Sequence, residues 1–276
     1  MTELQPGGVA VVTGGASGIG LSLARGFSAR GMHVVLADIE AGPLERAAAE
    51  LNATAVVTDV SKRSDVDRLA ELTLQQFGRV DVVCNNAGVS IGSLPSWQYD
   101  QRDWEWVLGV NLWSVIHGIR HFVPRMLKQA GDSHIVNTAS VAGLLSTPGM
   151  AAYNVSKHGV VTLSETLYGE LAALKSRLGV SVLCPAWVPT AIHESARNRQ
   201  DRYGVPDEAS AMSRAYEERM GMAIKSGRKT ADDMADAVFD AVRENRFYVI
   251  PHRKINNAVQ LHTDDILQQR NPTPLD

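Results

Sequence analysis

The sequence predicts an α/β chain, a doubly wound parallel sheet of about seven strands with helices on both faces. Three features predict it. Short runs rich in Val, Ile and Leu recur with little polar alternation, as strands do when helices cover both their faces. Amphipathic stretches between them are long enough to carry right-handed crossovers from one parallel strand to the next. The first apolar run also passes through a glycine-rich turn straight into a helical pattern, the opening of a βα unit that binds phosphate.

In chain order, the first strand is expected at 9–13, where Val9-Ala10-Val11-Val12 is β-rich. The first helix is expected at 18–30, where Leu21, Leu23, Ala24 and Phe27 carry a helical pattern. Between them stands Thr13-Gly14-Gly15-Ala16-Ser17-Gly18-Ile19-Gly20. Glycines at 14, 18 and 20 let the backbone turn sharply and approach a pyrophosphate closely, and the helix behind them aims unpaired N–H groups and its positive end at the phosphates. The second strand, 33–38, closes in Asp38. A carboxylate there accepts from both ribose hydroxyls of an adenosine and repels a 2′-phosphate by roughly 1–4 kcal/mol at about 4 Å, which favours NAD over NADP.

A helix at 42–51 leads to a third strand at 54–58, followed by Asp59-Val60. Asp59 is placed either to meet the exocyclic amine of adenine or to start the helix at 64–77. The fourth strand, 80–84, runs into Asn85-Asn86-Ala87-Gly88, whose amides brace the sheet end while two small residues leave room for a flat ring. Helices at 100–110 and 112–130, a strand at 134–139, a helix at 151–175, a strand at 180–184, a helix at 231–245 and a last strand at 247–250 complete the order. Ligands of such a sheet gather beyond the carboxyl ends of its strands, where these motifs lie.

The length and the lack of any repeat or low-complexity tract point to one domain over residues 1–276. The 27 basic and 30 acidic residues, net charge −3, leave no basic stripe for nucleic acid or an anionic membrane, so neither is an expected partner. No apolar run is long enough to span a bilayer, and the first six residues lack the order of a signal peptide; a cytoplasmic protein is expected. Cys84 and Cys184 each end an apolar run and read as small buried hydrophobes. His117 and His121 have the helical spacing of a metal pair, but no carboxylate or third ligand is evident beside them, and no metal is expected.

The chemistry concentrates in Tyr153-Asn154-Val155-Ser156-Lys157, downstream of Ser140. Tyrosine and lysine four apart share one helix face, which sets a phenol beside an ammonium. A phenol near pKa 10 is a poor base at neutral pH unless a nearby positive charge stabilises the phenolate, and Lys157 is the charge at hand.

Taken together and in this order, Thr13-Gly14-x3-Gly18-x-Gly20, Asn85-Asn86-Ala87-Gly88, Asn111, Ser140, Tyr153 and Lys157 resemble the short-chain dehydrogenase/reductase family over about residues 8–190. The resemblance implies a Rossmann-type fold and NAD-dependent hydride transfer between cofactor and an alcohol or ketone. Tyr153 would be general base in oxidation and general acid in reduction, its pKa lowered by Lys157 and by the positive nicotinamide. Ser140 would hydrogen-bond the substrate oxygen, and Lys157 would also hold the nicotinamide ribose. Asn111, at a break between two helices, would anchor a water that passes protons from Lys157 to solvent.

The dinucleotide would lie on Gly14, Ser17, Gly18, Ile19 and Gly20, then on Asp38, Asp59, Val60, Asn86, Ala87 and Gly88. It would end at Tyr153, Lys157, Pro185, Val188 and Thr190. One departure stands out: the family shows Pro-Gly after the sixth strand, whereas here the chain reads Pro185-Ala186-Trp187-Val188-Pro189-Thr190. Ala186 adds a methyl near the nicotinamide position and disfavours a positive φ. Trp187 would wall the substrate pocket or pack in the core.

Ala142, Met150 and Trp187 suggest an apolar substrate pocket and a hydrophobic secondary alcohol or ketone, aromatic ones included. Val107 to Leu112, Phe122 to Met126 and Tyr248 to Pro251 resemble, within the family, bacterial enzymes that oxidise benzylic alcohols of lignin-type aromatics. A substrate lid is expected at 191–228, its arginines set among acids as on a mixed surface, and a C-terminal extension at 252–276 with a weak helical pattern. The helices at 112–130 and 153–175 correspond to those through which relatives pair, which implies a homodimer or homotetramer. Two alternatives stand beside this reading. A nucleotide-sensing protein without turnover would show a gap in the Asn111, Ser140, Tyr153 and Lys157 set, and none is present; an isomerase or dehydratase using bound NAD would need a further acid–base pair.

Overall fold

Seven parallel strands form one sheet in the order β3-β2-β1-β4-β5-β6-β7 among the residues that the computed structural model describes, 3–204, 213–216, 218, 221–222 and 227–274. The strands are β1 (Val9–Thr13), β2 (His33–Asp38), β3 (Thr54–Val57), β4 (Val82–Asn85), β5 (Ser133–Thr138), β6 (Leu178–Leu183) and β7 (Tyr248–Val249). The chain winds outward from β1 through β2 to β3, then returns to place β4 on the other flank of β1. That reversal opens the crevice where an open parallel sheet binds its ligand.

Helices cover both faces, which is why the strand runs are apolar throughout. Along β1, Ala10 and Val12 pack toward α1 (Gly18–Ala29) and α7 (Ala231–Glu244), against Leu23, Phe27, Met234 and Val238. Val9 and Val11 face the other way, among Leu69 of α3 (Arg63–Phe77), Phe122 and Met126 of α5 (Ser114–Met126), and Leu167 of α6 (Ala151–Ala173). Further helices among the described residues include α2 (Ala41–Leu51), α4 (Gln101–Leu108) and α8 (Asn256–Leu267).

The expected break at Asn111 is a π-helical turn, Gly109–Trp113, which joins α4 to α5. At the seam between α5 and the sheet, Gly118 permits an approach so close that an added Cβ would overlap the Asn85 side chain. Asn85 Nδ2 donates to Asn137 Oδ1 at 2.8 Å, and Asn137 Nδ2 donates to Ser164 Oγ at 2.9 Å, a buried polar chain from β4 through β5 to α6.

Cys84 and Cys184 are free and buried. His121 contacts Asp67 of α3, a carboxylate that sequence spacing did not place there, because α3 and α5 meet only in the fold. No group of three or more ligating side chains suited to a metal occurs among the described residues. Nor is any helix among them long and apolar enough to cross a membrane. Of the expected lid, residues 205–212, 217, 219–220 and 223–226 lie outside the described residues; 191–203 form two short 3-10 segments, Ala191–Asn198 and Asp201–Tyr203.

Candidate active site

The crevice beside β1 is built first by its turn. Gly14 and Gly18 have φ of 64° and 53°, the left-handed region that favours glycine. A Cβ at Gly14 would come within 2.9 Å of Ala87 Cα, so β1 and the segment after β4 approach as closely as backbone permits. Thr13 Oγ1 locks that approach, accepting from the backbone N–H of Asn86 at 2.9 Å and of Ala87 at 3.1 Å. Gly20 does not line the cavity; it lies against Gly14, where a Cβ would overlap the Gly14 carbonyl.

Behind the turn, α1 starts without a side-chain cap from Ser17 and without an acid in its first turn. Its first N–H groups and positive end therefore face the cavity, a setting that suits a diphosphate. Farther along, Asp38 lines the same cavity, with Oδ2 accepting from Ala16 N and Oδ1 from Glu40 N, both at 3.1 Å. Burial pushes its carboxyl up.

Asp59 also reaches the cavity, but its oxygens are engaged: Oδ1 accepts from Ser61 Oγ at 2.5 Å and Oδ2 from Arg202 at 3.0 Å. Burial works to raise this carboxyl, and Ser61 with Arg202 outweighs it, holding it below the ordinary value.

Ser140, Tyr153 and Lys157 meet at the other end. Ser140, just after β5, accepts from Ala142 N at 3.1 Å and donates to the Pro185 carbonyl at 3.3 Å. Tyr153, on the first turn of α6, lines the same cavity as Ser140, which acts on its hydroxyl. Lys157, only 2 % exposed, donates from Nζ to the Thr138 carbonyl at 2.9 Å and stands 5.7 Å from the centre of the Tyr153 ring.

Burial pushes the Tyr153 phenol up, with the Ser140 hydrogen bond pulling the other way. The Lys157 ammonium lies over the ring and bonds to the Thr138 carbonyl. Burial also lowers Lys157, to about 8.

Asn111 does not line the cavity. Its Oδ1 accepts from Val89 N at 2.8 Å, and its Nδ2 donates to Val89 O and to Ser156 Oγ, each at 3.0 Å. Ser156 Oγ in turn donates to the Tyr153 carbonyl at 2.7 Å, so the π turn braces the helix turn that presents the phenol. Asn111 and Lys157 converge at Gly88, where a Cβ would lie 3.5 Å from Asn111 Oδ1 and 3.4 Å from Lys157 Nζ.

The expected residues Ser17, Gly18, Ile19, Val60, Asn86, Ala87, Gly88, Pro185, Val188 and Thr190 line this one cavity, and so do Ala142, Met150 and Trp187. Trp187 thus walls the cavity. Ile192, Arg197 and Gln200, within the segment expected as a lid but not among the expected contact residues, also line it. Their segment is strapped down by partners far away in sequence: Arg197 Nη2 to Glu40 at 2.9 Å, Arg199 Nη1 to Asp103 at 2.7 Å, and Arg202 to Asp59. No local pattern signals such pairs.

Comparisons with known proteins show the family. The family model for short chain dehydrogenase matches residues 8–201. The C alpha-dehydrogenase of Sphingobium sp. (strain NBRC 103272 / SYK-6) is 32% identical over 279 residues, covering 97% of this chain and 88% of its own. The CLA biosynthesis dehydrogenase/reductase of Lactiplantibacillus plantarum is 32% identical over 260 residues, covering 91% of this chain and 90% of its own. A short chain dehydrogenase/reductase from Burkholderia phymatum, solved in complex with NAD, superposes with a TM-score of 0.96 at 43% identity over 99% of both chains. The protein belongs to the short-chain dehydrogenase family.

Proposed function

We propose that this protein is an NAD-dependent alcohol dehydrogenase and ketone reductase acting on a hydrophobic secondary alcohol or its ketone, aromatic substrates included. The observation that carries it is the convergence of Tyr153, Ser140 and Lys157 in a cleft whose far end holds the uncapped start of α1 and the Asp38 carboxylate. The bound dinucleotide supplies the hydride acceptor or donor. Names among its relatives support the reading: a C alpha-dehydrogenase, and a structure in complex with NAD.

The residues divide the work. Asp38 selects NAD by accepting from the ribose hydroxyls, as its charge opposes a 2′-phosphate. Ser140 and the Tyr153 hydroxyl bind the substrate oxygen, where charge changes as hydride moves. Tyr153 takes the alcohol proton in oxidation and returns one in reduction. Because burial raises the phenol, oxidation needs cationic help and rises toward alkaline pH. Lys157, which burial lowers to about 8, supplies that charge from the same helix face, so the alkaline rise holds only while this lysine keeps its proton. Ala142, Met150 and Trp187 wall the substrate end, and the strapped segment 191–203 borders it through Ile192, Arg197 and Gln200. Pairing through α5 and α6 into a homodimer or homotetramer accompanies this reading.

The test is NADH formation, followed by absorbance, with a panel of aryl and alkyl secondary alcohols. Tyr153→Phe should lower kcat by about 10²- to 10⁴-fold while NADH binding, read by fluorescence, persists. No NADH from any alcohol between neutral and alkaline pH, or full rate in Tyr153→Phe, would overturn the assignment.

A further inference from the structure

The loop that departs from the family pattern is held by a residue far along the chain. β6 and β7 pair with Val182 opposite Tyr248 and Leu183 opposite Val249. The ladder continues as Val182 N to the Phe247 carbonyl and Cys184 N to the Val249 carbonyl, both at 2.8 Å. One more step would bring the Ala186 N–H to the carbonyl of Pro251. Instead it donates to Nδ1 of His252 at 3.1 Å, at the same separation of 66 residues that sets Leu183 opposite Val249. The imidazole therefore caps the ladder where the strand ends.

We infer that His252 is a positioning residue: its Nδ1 holds the backbone of Ala186, and with it the Pro185 to Val188 wall at the nicotinamide end of the cavity. This rests on the NAD-dependent reading above. Ala186 keeps a negative φ, as its methyl requires, so the loop is defined by the direction of its N–H rather than by a glycine turn. On its other side the loop is fastened to the catalytic set, since the Pro185 carbonyl accepts from Val141 N at 2.9 Å and from Ser140 Oγ at 3.3 Å. Both fastenings fall on the one peptide group between Pro185 and Ala186; Trp187 and Val188 follow it directly and line the cavity, and His252 does not line it.

The bond makes the loop sensitive to protonation. An Nδ1 that accepts leaves the proton on Nε2, and Nε2 is shut from solvent with no hydrogen-bond partner. Adding a proton at Nδ1 would turn the acceptor into a donor facing the Ala186 N–H. Several groups act on the ring. Burial and Lys229 favour the neutral form, while Asp233 at the start of α7 and the backbone of Trp187 oppose them. Burial prevails at neutral pH, so the loop is held there and released as acid charges the imidazole.

The experiment is fluorescence titration with NADH from about pH 8 to about pH 5, on wild type, His252→Asn and His252→Leu, with folding checked by near-UV circular dichroism. Asparagine keeps an acceptor oxygen near the Nδ1 position and does not titrate. Wild type and H252N should bind NADH equally at the alkaline end. At the acid end wild type should weaken about ten-fold while H252N does not, and H252L should be about ten-fold weaker throughout.

In ketone reduction the protonated phenol is the competent form, so an acid-side rise in KM in wild type that H252N lacks would report the imidazole and not Tyr153. Wild-type affinity in H252L, or the same acid loss in H252N as in wild type, would overturn the role of His252 alone. Failure of every variant, wild type included, to bind NADH would overturn the cofactor reading and this inference with it.

Discussion

Arg199 donates from Nη1 to Asp103 Oδ1 at 2.7 Å, and the two side chains are only 4 % and 3 % exposed. The same guanidinium donates to the carbonyls of Gly204 and Tyr203 at 2.8 and 2.6 Å, so one buried group both neutralises α4's acid and fastens the strap over the cavity. Removing it leaves Asp103 charged and shut from water. Arg199→Met should cost about 3–5 kcal/mol in urea unfolding, and Arg199→Met with Asp103→Asn should recover part of that loss. A cost within error of zero would mean the strap does not depend on this pair.

Asp38 lines the cleft near the start of α1 and accepts backbone hydrogen bonds from Ala16 and Glu40. Asp38→Asn keeps the acceptor for one of them and removes the charge. The ratio of NADP to NAD affinity should rise by about ten-fold or more, since the repulsion removed is roughly 1–4 kcal/mol. An unchanged ratio in paired fluorescence titrations would take selectivity away from this carboxylate.

Gly118 has no room for a methyl beside Asn85. Gly118→Ala should destabilise by about 2–4 kcal/mol, because the clash falls on the buried Asn85 to Asn137 bond rather than on a flexible side chain. Adding Asn85→Ser should relieve some of it. Equal unfolding midpoints for wild type and Gly118→Ala would contradict the close approach of α5 to β4.

His134 is buried in β5, with Nε2 on Ser181 Oγ at 2.8 Å, and burial lowers its pKa to about 3. The ordinary value in an unfolded chain is near 6.5, so below that pH the unfolded state binds a proton that the folded state refuses. The contribution of this neutral imidazole is complete above about pH 6.5 and erodes toward pH 3, at roughly 1.4 kcal/mol per pH unit. In His134→Gln, which keeps a donor toward Ser181, the acid slope of unfolding free energy should shrink by about that amount; an unchanged slope would place the acid sensitivity elsewhere.

Much of the site was legible because its parts are local. The turn at Gly14 to Gly20, the strand-end Asp38 and the Tyr153 to Lys157 spacing each lie within one element or its boundary, where periodicity and conformational rules apply directly. Reading failed where a partner comes from elsewhere in the chain. Arg197 and Arg202 look like surface charges until the fold sets them against Glu40 and Asp59. His121 looks unaccompanied until α3 brings Asp67 to it. The burial of Tyr153 was not legible for the same reason: spacing sets the lysine near the ring, and only packing shows how much water the phenol loses.

By itself, then, the sequence determined the alternation of strand and helix, the glycine turn after β1 and the placing of Tyr153 and Lys157 on one helix face, because backbone preference and side-chain period act over a few residues. Tertiary structure alone decided which carboxylates pin the strap, which groups lose their water, and that an imidazole beyond β7 fastens the loop after β6. Those outcomes depend on desolvation and on contacts between residues scores of positions apart, and neither quantity exists until the chain has closed on itself.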